Sequence, residues 1–334
     1  MKAWKVIPNE TKLDLQSQDV SLRDPAEGEV RVRIHATSLN KRDLMVANGT
    51  YPGVKEGGLV PLSDGAGEVV ALGEGVDSLE LGDRVANLFW RDWIEGHLAA
   101  DSIAMGASVD GVLSEEIVLP AHALIKIPDF LSFEEAATLP CAALTAWNAL
   151  METGNLKPGQ TVLTLGTGGV SLFALQFAKA AGATVIITSS RDEKLARAKA
   201  MGADMVINYR ITPDWAAEVQ RLTDGKGADV VIETGGPGTL NQSLEAAAFG
   251  GQVTMIGVQA GVSENISPLP ILFKKLRLQG IMVGNKKMFE NMLAQIIRHK
   301  IRPIVDQVFS FEDTAKAFKT MEAANHFGKI AILS

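Results

Sequence analysis

From residue 161 the chain alternates between short apolar runs and longer amphipathic ones, and this alternation limits its fold more than any other feature. "TVLTLG", "TVIITS", "MVINY", "DVVIET" and "QVTMIG" read as strands, rich in β-branched residues. Between them, "GVSLFALQFAKAAG", "DEKLARAKAMG", "PDWAAEVQRLTDG" and "GTLNQSLEAAAFG" read as helices. Parallel neighbours need a crossover, and each helical crossover covers one face of the sheet. Helix and strand in turn over about 150 residues therefore predict an α/β fold with a doubly wound parallel sheet.

The flanks have a different texture. Residues 1–125 are β-rich: "EVRVRIHAT" (29–37) alternates as a half-buried strand does, and "EEIVLPAHALIKIP" (115–128) reads as two short strands. "SFEEAATLPCAALTAWNALMETG" (132–154) predicts a helix opened by a Ser132–Glu135 capping box. "ILFKKLRLQGIMVG" reads as a helix end and a strand. The tail adds two amphipathic helices, "MFENMLAQIIRHK" and "FEDTAKAFKTMEAANH", and a last strand, "KIAIL". The 334 residues suffice for two domains, and no internal repeat is visible.

Composition excludes several functions. A net charge of −7 argues against a protein that tracks nucleic-acid phosphates. A single cysteine, Cys141, rules out an internal disulfide framework and fits a reducing compartment. The N-terminus has no apolar signal-peptide core, and the longest apolar stretch is broken by Lys179 and glycines. A cytoplasmic protein with no membrane span is expected.

"TVLTLG" runs directly into "GTGGVS" and a helix, the setting in which a glycine fingerprint binds a dinucleotide. Gly166 permits the sharp turn, and Gly168 lets the backbone approach a pyrophosphate. Thr167, Gly169 and Val170 complete the loop whose amides face that anion. Ser171 replaces the third glycine. The stretch "VIITSSRDEK" (185–194) then selects between cofactors. An NAD site places a carboxylate at the end of the second strand, where it would repel a 2′-phosphate. Here the position holds Ser189, followed by Ser190, Arg191 and Lys194, and Tyr209 ends the third strand. Hydroxyls and fixed cations suit a phosphate dianion, so NADPH is the expected cofactor. A rival reading makes Arg191 and Lys194 solvated charges opening a helix.

These segments, with "SLNKRDLMVANGTYP" (38–52), "PLSDGAGEVVALGEGVDSLELGDRV" (61–85), "IPDFLSFEEAATLPCAALTAWNAL" (127–150), "GIMVGNKKMFENML" and "GKIAIL", resemble the medium-chain dehydrogenase/reductase superfamily over essentially the whole chain. The resemblance is to its zinc-independent, quinone oxidoreductase-like branch. It implies a GroES-like β-rich catalytic domain from residues 1–127 and 286–334, with a Rossmann domain, 128–285, inserted. It also implies an active site in the cleft between them, and a homodimer. "VGNK" resembles the segment that passes the nicotinamide, which adds Val283, Gly284 and Asn285 to the cofactor residues, with Gly257 at the end of "QVTMIG".

Zinc-dependent relatives use a cysteine, a histidine of a Gly-His-Glu motif and a second cysteine or acid. Asn40 takes the first position, Ser63 and Asp64 replace the histidine and its glutamate, and only Cys141 is left at the third. A lone thiol cannot close a zinc site, and the lobe "WRDWIEGHLAADSIAMGASVDG" has no cysteine. His35, His97, His122, His299 and His326 show no paired spacing. Without a Lewis acid, reduction of a conjugated carbonyl is less demanding than alcohol oxidation, because conjugation spreads the incoming charge. The expected activity is therefore metal-free hydride transfer from NADPH to a quinone or enone, a small electrophilic carbonyl acceptor.

Asn40 is the candidate for a hydrogen bond to the substrate or the nicotinamide end, with a local backbone cap as its rival role. Asp43 is expected to fix that loop. Ser63 and Asp64 lie in the former metal region, and Thr145 resembles the position facing the nicotinamide. Trp90 and Trp93 are candidates for an aromatic wall or for loop packing. Three alternatives stay open: an enoyl-thioester or alkene reductase, an alcohol dehydrogenase of the same superfamily, and a non-catalytic NADPH-binding protein.

Overall fold

The computed structural model describes residues 1–7, 14–55, 58–257 and 265–334. The backbone falls into two compact units, Met1–Leu144 with Gly284–Ser334, and Thr145–Val283.

The first unit opens with β1 (Lys2–Ile7) antiparallel to β2 (Asp14–Asp19). Then follow β3 (Glu29–Ser38), α1 (Lys41–Ala47), β4 (Asp64–Leu72), β5 (Arg84–Asn87), β6 (Glu116–Pro120), β7 (Leu124–Lys126) and α2 (Phe133–Ala136). In β3, Val30, Val32 and Ile34 are buried while Arg31, Arg33 and His35 alternate with them, as the period of two requires. Ser132 and Glu135 form the expected reciprocal cap: Ser132 Oγ accepts from the Glu135 amide at 3.2 Å and Glu135 Oε2 accepts from the Ser132 amide at 2.9 Å.

The single helix expected over 132–154 is not continuous. After α2 the backbone widens into π turns at Leu139–Ala143 and Asn148–Thr153, on either side of α3 (Leu144–Trp147). Pro140 lies in the first of them and has no amide to donate to a regular helical ladder. The unit bound also differs from the expected 127/128, because 128–144 stays with the first unit. Ser38 Oγ donates to Ala137 O at 2.9 Å, and the Cys141 amide donates to Asp64 Oδ2 at 3.2 Å.

The second unit holds β8 (Thr161–Leu165), α4 (Gly169–Ala180), β9 (Thr184–Ser189), α5 (Asp192–Ala200), β10 (Met205–Asn208), α6 (Trp215–Leu222) and β11 (Ala228–Glu233). It continues with α7 (Pro237–Ala246), β12 (Ala247–Met255), α8 (Leu269–Phe273) and β13 (Arg277–Gly280). The six strands are parallel in the order β10-β9-β8-β11-β12-β13, so the order reverses between β8 and β11. This is the doubly wound Rossmann arrangement, which binds ligands outside the carboxyl ends of the strands at the reversal. The near-continuous burial along β8 and β9 reflects cover on both faces. Leu163, Ile186 and Val231 pack with Val219, Leu240 and Leu244 of the flanking helices.

The chain returns to the first unit through α9 (Lys286–His299), β14 (Val305–Ser310), α10 (Thr314–Glu322) and β15 (Lys329–Leu333). There β15 joins β3 antiparallel, giving the sheet path β14-β15-β3-β4-β5-β7, with β6 on β3. The Leu39 amide donates to Ile330 O at 3.0 Å, so the last strand is fixed beside the loop that starts α1. Among the described residues, no helix is long and apolar enough to cross a membrane.

Candidate active site

The glycine loop leaves β8 at Gly166, whose φ of 75° needs a residue without a Cβ. Gly168 is different, since its φ of −81° is open to any residue. A Cβ on either glycine would meet no atom within 4 Å. The small size of Gly168 therefore serves neither the turn nor the packing; it leaves room against the amides that open α4, the anion-binding end of a 12-residue helix. Ser171 is buried and its hydroxyl donates to Leu165 O at 2.6 Å, tying the helix start to the end of β8. A serine at the third fingerprint position thus holds helix and strand together by a hydrogen bond.

At the end of β9, Ser189 is buried, and its carbonyl accepts from the Tyr209 amide at 3.1 Å. This places Tyr209, with an exposed side chain, beside Ser189 and ahead of Ser190 and Arg191. Arg191 lies 3.5 Å from Glu193, and Asp192 accepts from Asn208 Nδ2 at 2.6 Å. Lys194 is half-buried one turn further on. Gly257 has a packing reason of its own, because a Cβ there would lie 2.7 Å from Thr234 O. Val283 has a φ of 53°, and its carbonyl accepts from Asn148 Nδ2 at 2.8 Å.

In the first unit, buried Asn40, Asp43, Ser63, Asp64 and Lys329 converge in one cluster, with the half-buried Cys141 beside them. Asp43 Oδ2 accepts from the Asn40 amide at 2.7 Å at the start of α1, while its Oδ1 makes no hydrogen bond and lies 3.9 Å from Arg42 Nη1. Ser63 Oγ donates to Asp64 Oδ1 at 2.6 Å. Asn87 fixes this turn, donating to Ser63 O and accepting from the Gly65 amide. Lys329, the first residue of β15, donates to Leu39 O and Asn40 Oδ1, each at 2.6 Å, and stands 3.9 Å from Asp64 Oδ2. Burial pushes the Asp43 carboxyl up to about 6, against the pull of Arg42. Burial also raises Asp64, opposed by Lys329, and it raises the Cys141 thiol, helped by the Asp64 charge.

Residues 26–129 match the family model for an alcohol dehydrogenase GroES-like domain, and residues 169–298 the one for a zinc-binding dehydrogenase. A zinc-type alcohol dehydrogenase-like protein of Schizosaccharomyces pombe is 46% identical over 91% of this chain and 90% of its own. The chain belongs to the medium-chain dehydrogenase/reductase superfamily. Its fold is similar to that of an NAD-dependent alcohol dehydrogenase, at 33% identity and a TM-score of 0.93 over 100% of both chains. A quinone oxidoreductase of Pseudomonas syringae aligns with a TM-score of 0.85 at 30% identity, over 100% of this chain and 99% of that one. The protein is an oxidoreductase of a superfamily that binds a nicotinamide cofactor.

Of the residues singled out in sequence, Gly166 to Gly168, Ser189 to Arg191 and Tyr209 lie at or just beyond the carboxyl ends of β8, β9 and β10 of this oxidoreductase, while Gly169 and Val170 open α4 and Lys194 lies in the first turn of α5. Thr145 is buried on α3. Asn285 is used as a helix cap, its Oδ1 accepting from the Met288 amide at 2.9 Å, and a Cβ on Gly284 would lie 2.8 Å from Leu144. Trp90 packs edge-on against Phe89, and the Trp93 indole donates to Gly96 O, so each has a packing partner. Three residues escaped sequence reasoning. Lys329 sits in a strand that reads as ordinary, and Asn148 inside a helix. Glu233 is buried at the end of β11, where it accepts from the Gly235 and Gly236 amides and from Thr239 and Ser243. A carboxylate ending an apolar strand was the visible signal for Glu233.

Because the carboxyl of Asp43 is raised in the fold, the folded protein binds the proton more tightly than the unfolded chain. Its contribution to stability is complete below about pH 4 and lost as pH rises through about 6. Asp43→Asn removes that dependence. Urea denaturation should show the variant gaining on wild type by on the order of 3 kcal/mol between pH 4 and pH 7. A difference that does not change with pH would contradict the raised carboxyl.

Proposed function

We propose that this chain transfers hydride from NADPH to a conjugated carbonyl acceptor, a quinone or an enone, without a metal ion. The observation that carries this reading is the buried ammonium of Lys329 within the Asn40–Ser63–Asp64–Cys141 cluster. Zinc takes thiolate, imidazole or carboxylate donors, three or four at a time. Here the oxygen of Asn40 is held by Lys329 at 2.6 Å, and Asp64 already accepts from Ser63 and from the Cys141 amide. An ammonium 3.9 Å from Asp64 contributes roughly 4 kcal/mol of attraction at an effective dielectric near 20, and it would repel a dication placed beside it. Among the described residues, no three His, Cys, Asp or Glu side chains are grouped to hold a metal. The cluster does not fit zinc.

For the cofactor, the residues do fit. The open space over Gly166 and Gly168 at the start of α4 would take the pyrophosphate. Ser189, with no carboxylate at the end of β9, and Ser190, Arg191, Lys194 and Tyr209 would hold a 2′-phosphate. When bound, NADPH supplies the hydride. The chain's own part is to orient the acceptor and to offer donors to the oxygen on which charge develops.

The second unit also supports a homodimer. Among the described residues, strand β13 is the last of the sheet path and pairs only with β12. Near it in sequence, Leu272, Phe273 and Met282 are 69%, 71% and 50% exposed, and Phe249 of the neighbouring β12 is 69% exposed. An open edge with large apolar side chains is a template for a second copy of the same edge.

NADPH and NADH oxidation compared with para-benzoquinone as acceptor, chelator present throughout, tests the reading. NADPH should be preferred by at least about tenfold in kcat/KM, the loss expected of one missing charged contact to the 2′-phosphate. Equal use of both cofactors would remove the phosphate site, and turnover abolished by chelator would remove the metal-free chemistry. Sedimentation velocity should give a dimer, and Leu272→Glu with Phe273→Glu should leave a monomer. A wild-type monomer at micromolar concentration would contradict the edge pairing.

A further inference from the structure

Lys329 is 3% exposed, and taking an ammonium out of water costs several kcal/mol unless its partners compensate. Neutralising Asp64 accounts for only part of its placement. The carboxylate is 3.9 Å away and draws its own hydrogen bonds from Ser63 and the Cys141 amide. The two short bonds of Lys329, both 2.6 Å, go to Leu39 O and to Asn40 Oδ1. The Leu39 bond anchors the head of the side chain to the backbone just ahead of Asn40. The Asn40 bond then fixes the orientation of a carboxamide that could otherwise turn over.

An ammonium has three donors and no acceptor, so only the oxygen of the carboxamide can face it. Asn40 Nδ2 is thereby turned away from Lys329. It is buried and makes no hydrogen bond, although it lies near enough to Asp64 to favour that carboxylate's charged form. A buried donor left unpaired costs roughly 1–3 kcal/mol, and native proteins keep few of them.

We propose that Lys329 is a positioning residue: it holds the Asn40 carboxamide so that Nδ2 donates to the carbonyl oxygen of the acceptor as that acceptor takes hydride from the reduced cofactor, the proton that completes the reduction coming from solvent. The proposal rests on the reading of the Asn40 cluster as the acceptor site. Lys329 itself touches neither acceptor nor cofactor and acts through Asn40.

A double-mutant cycle with NADPH and para-benzoquinone tests it. Lys329→Met should lower kcat on the order of tenfold to a hundredfold, the scale of a misplaced or lost oxyanion donor. NADPH affinity, read from binding-induced fluorescence, should stay within about twofold. In an Asn40→Ala background the same change should cost less than about twofold more, because the residue it acts through is gone. Lys329→Gln, which keeps a donor for Asn40 Oδ1 without the charge, should recover most of the lost kcat.

A loss that persists in the Asn40→Ala background, or Gln behaving as Met does, would overturn the proposal and leave the acceptor site standing. If Asn40→Ala alone leaves kcat unchanged, the acceptor site falls, and the proposal with it. Should Lys329→Met fail to fold, Lys329→Gln completes the cycle alone. A kcat within about threefold of wild type supports the proposal, and a larger loss that is additive with Asn40→Ala overturns it.

Discussion

One buried ion ties the first unit of this molecule together. The Lys329 ammonium joins the first residue of the last strand to the Leu39 carbonyl, the Asn40 carboxamide and the Asp64 carboxylate. These partners lie near residues 40 and 64, and Lys329 itself near the chain's end. The C-terminal strand is therefore part of the site, because without it β3 loses a neighbour and the cluster loses its cation. Such a pair contributes more to defining one arrangement than to net stability, since desolvation cancels much of its Coulombic gain.

The second unit depends on a different constraint, the reversal of strand order between β8 and β11. The reversal leaves the carboxyl ends of β8 and β11 without crossover helices between them. Gly166 turns the chain there, Gly168 keeps the approach open, and Ser171 closes the helix onto the strand. On the other side, Glu233 orders the turn into α7 with four donors, and Thr234 Oγ1 bonds Leu165 O at 3.3 Å. Both sides of the reversal are thus held by hydrogen bonds from side chains that no cofactor needs to touch.

Much of this was legible in the sequence, and the reasons are physical. Strand and helix announce themselves by periods of two and 3.6, so the doubly wound sheet, the β-rich opening and the Ser132 cap could be read directly. The glycine loop was legible because backbone clearance restricts residue type at the turn out of β8. The break at Pro140 into wide turns was not, since the apolar spacing of 132–154 fits a helix and only packing on β4 and β5 decides the outcome. The unit bound at Leu144 was missed for the same reason. Lys329 was invisible because nothing local to "GKIAIL" says that its lysine is buried; its partners lie about 290 residues away along the chain.

The fixed ammonium of Lys329 beside Asn40 and Asp64 is the feature on which the proposed metal-free chemistry rests. The most direct measurement is the zinc content of active protein purified from zinc-supplemented medium, by elemental analysis alongside turnover. The account predicts far less than about one zinc per chain with full NADPH-dependent reduction of a quinone. About one zinc per chain, with activity lost on stripping and restored by zinc, would contradict it.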